Sequence, residues 1–188
     1  MSILFESDRL RFRLFNQEDL EVFFAYRSDP EVSSLQGWPE PYTREMAEKS
    51  LAEILAVEPG VKGEWLQIAL EDKVSGHIIG DIAYKVLSSD ETQAEIGLTL
   101  AKAYQGAGYG REACIRLLTY LFDECNLRRV IACTDVLNTP AQQLLEKVGF
   151  RQEAHFIDNL WFKGRWSSEY WYGMLQREWK VLRESNGW

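Results

Sequence analysis

Polar and apolar residues alternate along several short stretches of the chain, as in strands that bury one face of a sheet. The alternation is clearest over residues 9–14, where every second side chain is apolar. Further strand patterns occur at residues 65–70, 78–86, 93–100, 130–134, 151–158 and 169–175. The turn-rich segment 72–76 joins two of these and predicts an antiparallel meander. The pattern therefore predicts about seven strands.

Apolar residues recur at helical spacing between these strands. The first helix is predicted between a capping pair, Asn16 and Asp19, and Pro30, which marks its end. Thr139 is the predicted N-cap of the last helix, with Pro140 at its first position. The other helices are expected at residues 43–56 and 108–125, and the last runs to 149. With no repeat or linker along the chain, residues 1–188 are expected to form one α/β domain.

Net charge narrows the class of partner. The chain has 188 residues, a formal charge of −8 and 46% hydrophobic residues, which predicts a soluble globular protein that binds neither nucleic acid nor an anionic membrane. The first hundred residues carry 19 acids and 9 bases, whereas the remainder carries 10 and 12. This division predicts solvated helix faces or, alternatively, a field that attracts a cationic substrate on one side and tolerates phosphate on the other.

Cysteine and histidine usage limits the chemistry. Cys114 and Cys125 lie on an apolar helical stripe, so together with Cys133 they are interpreted as structural thiols of the core in a reducing compartment. No secretory or membrane-spanning pattern is found, and the cytoplasm is the expected location. Only His77 and His155 are present, far apart, so no metal site is predicted.

Tryptophan is concentrated near the end of the sequence. Five of the seven tryptophans fall in the last thirty residues, at positions 161, 166, 171, 179 and 188. They are interpreted as core residues of a final strand or, alternatively, as the wall of an amine pocket and a contact with a second copy of the chain.

A glycine-rich segment, residues 105–111, lies between a strand and a strong helix. Three glycines at a helix start permit close backbone approach, and the free amides and dipole of that helix favour a phosphate. The same segment also fits a dinucleotide fingerprint, with Asp135 ending a later strand. Two features argue against that alternative: the polar spacer 102–105 separates strand from glycines, and too little chain follows for a second βαβ half.

A series of motifs runs in a fixed order through the second half of the chain. The strand at 95–100 is followed by Gln105-x-x-Gly108-x-Gly110, then Asn138, then Gly149-Phe150. This order resembles the GNAT N-acetyltransferase superfamily, and segments 7–13, 37–43 and 164–166 resemble its RimJ/RimL-type subgroup of ribosomal-protein N-terminal acetyltransferases. The resemblance implies a mixed, mostly antiparallel sheet with helices on both faces and a splayed central strand pair that admits acetyl-CoA.

The same resemblance implies which residues hold that cofactor. Backbone groups of Leu98, Thr99 and Leu100 would pair with the pantetheine arm, and the Asn138 side chain would contact the cofactor within the catalytic site. The backbone amides expected to hold the pyrophosphate are those of Gly106, Ala107, Gly108, Tyr109, Gly110 and Arg111.

Acetyl transfer to an amine needs a neutral amine, so a carboxylate or a water chain must take a proton. Glu95 is the preferred base, because it stands on the cofactor-facing strand between apolar neighbours, where partial burial is expected to raise its pKa. Asp81, on the preceding strand, is the second candidate. A bulge expected near Gly97 would offer amides to the oxyanion.

The chain departs from the family at three places. Ala141 and Leu145 stand where many members have a serine or a tyrosine that protonates the leaving thiolate, so water or another tyrosine must serve. The run Ser167-Ser168-Glu169 replaces an acidic residue of the subgroup, which leaves the acceptor open.

The sequence thus predicts an acetyl-CoA-dependent N-acetyltransferase that transfers directly to a primary amine, on a protein N-terminus or a small molecule. The alternatives are a catalytically weak CoA-binding sensor and, from the dinucleotide fingerprint, a nicotinamide-dependent oxidoreductase.

Overall fold

The computed structural model describes residues 2–188, and one eight-stranded sheet runs through it. Its spatial order is β1-β2-β3-β4-β5-β6-β8-β7, and every neighbouring pair is antiparallel except β5 and β6. Seven strands match the sequence prediction, and Ile3–Glu6 adds the eighth because a four-residue edge strand is too short to show a period. The strands are β1 Ile3–Glu6, β2 Leu10–Leu14, β3 Leu66–Asp72, β4 Ile78–Leu87, β5 Asp90–Leu100, β6 Arg129–Asp135, β7 Arg151–Phe162 and β8 Arg165–Leu175.

Helices cover both faces of the sheet, as the family resemblance implies. They are α1 Leu20–Ser28, α2 Pro30–Ser33, α3 Arg44–Ala56, α4 Tyr109–Thr119, α5 Thr139–Val148 and α6 Gln176–Asn186. The first three pack over β3 and β4 around a small core that contains Phe23, Leu51 and Ala69. The last three pack on the other face around the larger core, which contains Leu117, Val148 and Trp179.

The central parallel pair separates along its length. β5 and β6 pair only through Gln93–Arg129, Ala94–Val130 and Glu95–Ile131. Beyond those pairs β5 stays with β4 as far as Leu100, and β6 stays with β8 as far as Asp135. A gap therefore opens between the carboxyl ends of the two strands, which confirms the splayed pair.

Helix ends depart from the sequence predictions at three points. α1 ends at Ser28, before Pro30 as predicted, but Pro30 also begins the unpredicted helix α2, since a proline at a helix start removes no hydrogen bond. The N-cap of α5 is Asn138, not Thr139, which is the first helical residue. The α4 helix continues as a π-helical turn, Tyr120–Glu124, and Cys125 lies beyond it exposed, so its assignment to the core is wrong.

Helix α6 has no counterpart in the sequence predictions. Its residues are mostly polar, so apolar periodicity is faint, yet Trp179 is completely buried against Phe122 and Trp188. No helix among the described residues is long and apolar enough to cross a membrane.

Candidate active site

A cavity of about 640 Å³ occupies the gap between β5 and β6. At one end it is lined by Gly106, Gly108 and Arg111 at the start of α4, and at the other by Val32 and Phe162, from α2 and the tip of the β7–β8 hairpin. The cavity thus connects the glycine-rich segment with the opposite side of the sheet.

The glycine-rich segment forms an open cradle. Gly106 and Gly108 have φ values of +75° and +84°, which a residue with a side chain rarely adopts. The first hydrogen bond of α4 runs from the amide of Glu112 to the carbonyl of Gly108 at 3.1 Å, so the amides of residues 109–111 have no partner within the helix. Free amides at the positive end of a helix dipole fit a pyrophosphate.

An ion-pair network fixes the cradle to the start of β2. Glu112 accepts hydrogen bonds from the Arg9 Nε (2.6 Å), the Arg9 amide (2.7 Å) and the Ser7 hydroxyl (2.7 Å), and Arg9 also donates to the Ala107 carbonyl. Burial raises the pKa of Glu112, but these hydrogen bonds outweigh it and hold that pKa below its usual range. The phenol of Tyr109 donates to Asp72 at 3.0 Å. The cradle is therefore held by Arg9, which directly precedes β2, and by Asp72 at the end of β3.

The end of β5 presents the predicted cofactor-facing strand. Leu98, Thr99 and Leu100 pair with β4 but not with β6, and Leu98 and Leu100 line the cavity. The bulge expected near Gly97 is wrong, because the β4–β5 register is unbroken from Leu100 to Ala94. What opens the sheet is the loss of β5–β6 pairing and not an extra residue in β5.

Asn138 has two structural contacts at the cavity wall. Its side-chain Oδ1 caps α5 by accepting from the Ala141 amide at 3.2 Å, and its backbone amide donates to the Asp135 carbonyl at 2.9 Å. Because the oxygen is used by the cap, the side-chain Nδ2 is the group of Asn138 that remains for a ligand.

Glu95 lies at the last paired residue before the strands diverge. Its carboxylate is 3.2 Å from the Lys85 ammonium and 3.8 Å from the Cys133 sulfur, which lines the cavity. Burial, followed by the negative charges of Glu95 and Glu169, raises the pKa of Cys133 to about 12. Cys133 is therefore a neutral thiol between two carboxylates.

Asp81, the second candidate base, is sequestered under α1. It is almost fully buried, accepts hydrogen bonds from Tyr26 (2.5 Å) and Gln67, and lies 3.5 Å from the Arg27 guanidinium. Because all of these partners are protein groups on the covered face, Asp81 joins α1 to the sheet and does not line the cavity.

Three carboxylates line the cavity that were not predicted as catalytic residues, those of Glu31, Asp135 and Glu169. Asp135 and Glu169 are register partners on β6 and β8, so their side chains share the face that carries Cys133. Asp135 accepts from Arg165 at 2.9 Å and from the Ser167 hydroxyl. Period-two alternation along β8 indicates that Glu169 lies on the same face as Ser167 and Trp171. It does not show that this face lines a cavity until β6 is known to be the neighbouring strand.

Of the other positions discussed from the sequence, some line the cavity and some lie on the protein surface. Ala141 and Leu145 line the cavity where the family has hydroxyl groups, and its described lining contains no tyrosine. Trp161 and Trp166 are 58% and 59% exposed, so their assignment to the core is wrong. Among residues 2–188, no group of three or more potential metal-ligating side chains comes together.

The fold and the cavity together define an acyl-CoA-dependent transferase. A sheet that splits at its one parallel pair, with a phosphate cradle at one end of the gap and carboxylates at the other, can bring a thioester and an amine together. The nicotinamide alternative is not supported by this topology, because a doubly wound parallel sheet is absent from the part of the chain described.

Comparison with known proteins identifies the family. The sequence model described as Acetyltransferase (GNAT) domain matches residues 9–151, and the chain belongs to this family. The chain is 32% identical over 173 residues to the uncharacterized N-acetyltransferase YnaD of Bacillus subtilis (strain 168), covering 91% of this chain and 96% of YnaD. It is an N-acetyltransferase with acetyl-CoA as its acetyl donor.

Two solved structures have the same fold. Spermidine N-acetyltransferase from Vibrio cholerae, in complex with CoA and spermine, has a TM-score of 0.77 at 22% identity, covering 93% of this chain and 99% of that one. Ribosomal-protein-S5-alanine acetyltransferase from Vibrio fischeri has a TM-score of 0.76 at 21% identity, covering 93% and 97%. At these identities, both structures show that the fold is shared and no more.

Proposed function

We propose that this protein transfers an acetyl group from acetyl-CoA directly to a primary amine, with both substrates bound in the β5–β6 cavity. The observation that carries the proposal is the single cavity that runs from the glycine cradle past Glu95 and Cys133 to the α2 side of the sheet.

The cradle and strand edge would hold the acetyl donor. The amides of residues 106–111 would hold the pyrophosphate, the free edge of residues 98–100 would pair with the pantetheine arm, and the Asn138 Nδ2 would donate to the same arm. Arg111 and Lys147, which also line the cavity, add positive charge at this end. Bound acetyl-CoA supplies an activated acetyl thioester at the point where the strands diverge.

Glu95 is the proposed proton acceptor. It lies behind Cys133, one side chain from the cavity wall, so the proton of the ammonium would reach it through one water. The net reaction converts an ammonium and a thioester into an amide and a thiol, and it releases one proton. Because a thiol such as that of CoA has a pKa of about 8.5, protonation of the leaving thiolate by water is sufficient despite Ala141 and Leu145.

Thiol release from acetyl-CoA tests this function across N-terminal peptides, small monoamines and polyamines. The proposal expects release that depends on an amine and yields the acetylated amine in equal amount. Binding of CoA with no turnover for any amine would instead support a CoA-binding sensor, the function suggested by the missing hydroxyl groups.

We also propose a second copy of the chain as partner. β7 is one of the two edge strands of the sheet, nearly all of its residues are exposed, and its Phe156 and Ile157 are 46% and 72% exposed. A long apolar edge with unpaired backbone groups favours pairing with an identical edge.

A further inference from the structure

The acidic residues that line the cavity differ in how far their charges are compensated. Three carboxylates line it on the side away from the cradle, those of Glu31, Asp135 and Glu169. Glu31 is 2.6 Å from the Lys102 ammonium, and Asp135 is 2.9 Å from the Arg165 guanidinium. Glu95, behind the wall, is paired with Lys85. The carboxylates of Glu31, Asp135 and Glu95 therefore each have a cation beside them.

Glu169 is different. Its carboxylate accepts a hydrogen bond from the Asn159 side-chain amide at 2.5 Å, and within residues 2–188 no lysine, arginine or histidine lies within ion-pair distance of it. Its neighbour Cys133 is held in the neutral form. The acceptor half of the cavity wall thus carries one uncompensated negative charge, located beside the carboxyl end of β6.

Apolar side chains form most of the opening of this half, beside the polar Gln36, Thr134 and Ser167. Val32, Leu35, Leu160 and Phe162 line the opening. A second pocket of about 530 Å³ adjoins it, sharing Phe162, and is lined by Trp38, Trp161 and Pro39. Burial of an ammonium without a partner costs free energy, so these surfaces favour an apolar group over a second cation.

Charged groups near the second pocket do not change this preference for an apolar group over a second cation. Glu40 lies 3.2 Å from the Lys163 ammonium, which also donates to the Ser33 carbonyl. One face of the Trp38 ring is covered by the Arg27 guanidinium, whose carbon is 4.3 Å from the ring centroid. That face is therefore not free for a cation–π contact with a ligand.

We propose that the acceptor is a primary amine with a single positive charge and an apolar substituent. Glu169 binds its ammonium, and the pocket of Trp38, Trp161 and Phe162 holds its apolar group. This inference rests on the proposed acetyl transfer, and it distinguishes monoamines and apolar N-termini from polyamines.

The test compares hexylamine with 1,6-diaminohexane, which have the same chain and differ by one ammonium. The inference predicts that kcat/KM for hexylamine exceeds that for the diamine by about tenfold or more. Equal or higher kcat/KM for the diamine or for spermidine would overturn the inference and leave acetyl transfer intact. Failure of the wild-type protein to acetylate any amine would overturn the proposed function and this inference with it.

The Glu169→Gln variant identifies the residue. It preserves the hydrogen bond with Asn159 while removing the charge, so KM for hexylamine should rise about tenfold at a kcat changed less than about threefold. Acetyl-CoA binding and the melting temperature should match the wild type, which excludes misfolding. Glu91→Gln, at the exposed beginning of β5, is the control and should leave both constants unchanged. Unchanged KM in a folded Glu169→Gln protein would contradict the assignment of the ammonium to Glu169.

Discussion

At the scale of single residues, the proposed roles depend on which carboxylates lie near the cavity and which of them are paired with a cation. Glu95 and Glu169 approach Cys133 from neighbouring strands, but only Glu95 has a lysine partner. A base acts on the rate of the chemical step, whereas a binding carboxylate acts on acceptor affinity. The two residues can therefore be separated by kinetics.

Glu95→Gln should lower kcat by about 10²- to 10⁴-fold, the usual contribution of a general base. Acetyl-CoA affinity and the KM of the amine should change little, because Glu95 lies behind the cavity wall. Steady-state rates with calorimetric titration of CoA measure all three quantities. A kcat equal to that of Glu91→Gln at neutral pH would transfer the proton-accepting role to another group.

Glu112→Gln should weaken acetyl-CoA binding without affecting the chemistry of bound substrates. It removes the charge that Arg9 and Ser7 hold, and a hydrogen bond to a charged group contributes about 1.5 to 3 kcal/mol at most, less here because Arg9 is partly exposed. A several-fold rise in the dissociation constant is expected by titration. Glu124→Gln, an exposed residue of the same helical region, is the control.

The pH dependence of the cradle follows from the same residue. The folded-state pKa of Glu112 is lowered, so its stabilisation is present above the unfolded pKa and is lost as pH falls through the folded value. CoA affinity should therefore keep the Glu112 contribution throughout the neutral and mildly acidic range. A loss of affinity in wild type but not in Glu112→Gln between about pH 5 and 7 would contradict this assignment.

At the scale of elements, the sequence was informative where one local pattern decides the structure. The meander, α3, α4 and the glycine cradle follow from periodicity and from helix-start chemistry, which act within a few residues. Glu169 and the free edge of β7 depend on which strands become neighbours, and α6 depends on the burial of Trp179 against Phe122. Those are long-range pairings, and no local pattern carries them.

Gly108→Ala tests the cradle as an element. A side chain at φ of +84° costs about 1 to 2 kcal/mol in strain, and relief of that strain would displace the amides proposed to hold the phosphates. Gly76→Ala, at φ of +71° in the β3–β4 turn with open space around it, is the matched control. Both variants should lose similar stability in thermal unfolding, but only Gly108→Ala should lose affinity for acetyl-CoA. Equal affinity in the two would contradict the location of the phosphates.

At the scale of the whole molecule, charge is arranged in two regions. The first hundred residues carry a net −10, and they include the helices that cover one side of the cavity opening. The remaining residues carry +2 and include Arg111 and Lys147 at the phosphate end. Glu169 and Phe162, which belong to the proposed acceptor side, also lie in this second part, so the division of charge along the sequence does not coincide with the two sides of the cavity.

Self-association belongs to this scale. Ile157→Glu should convert a dimer into a monomer, because a charge on the β7 edge opposes edge pairing. Val74→Glu, at a position 93% exposed in the β3–β4 turn, is the control and should leave the mass unchanged. Light scattering after size exclusion measures both, and a monomeric wild type at micromolar concentration would overturn the dimer proposal.

The central claim is direct transfer between two substrates held in one cavity, and initial rates with both substrates varied test it most directly. Thiol release is measured over a grid of acetyl-CoA and hexylamine concentrations. Double-reciprocal lines that intersect, with release dependent on the amine, are predicted for a ternary complex. Parallel lines, which indicate an acetylated enzyme intermediate, or release that is independent of the amine would contradict the account.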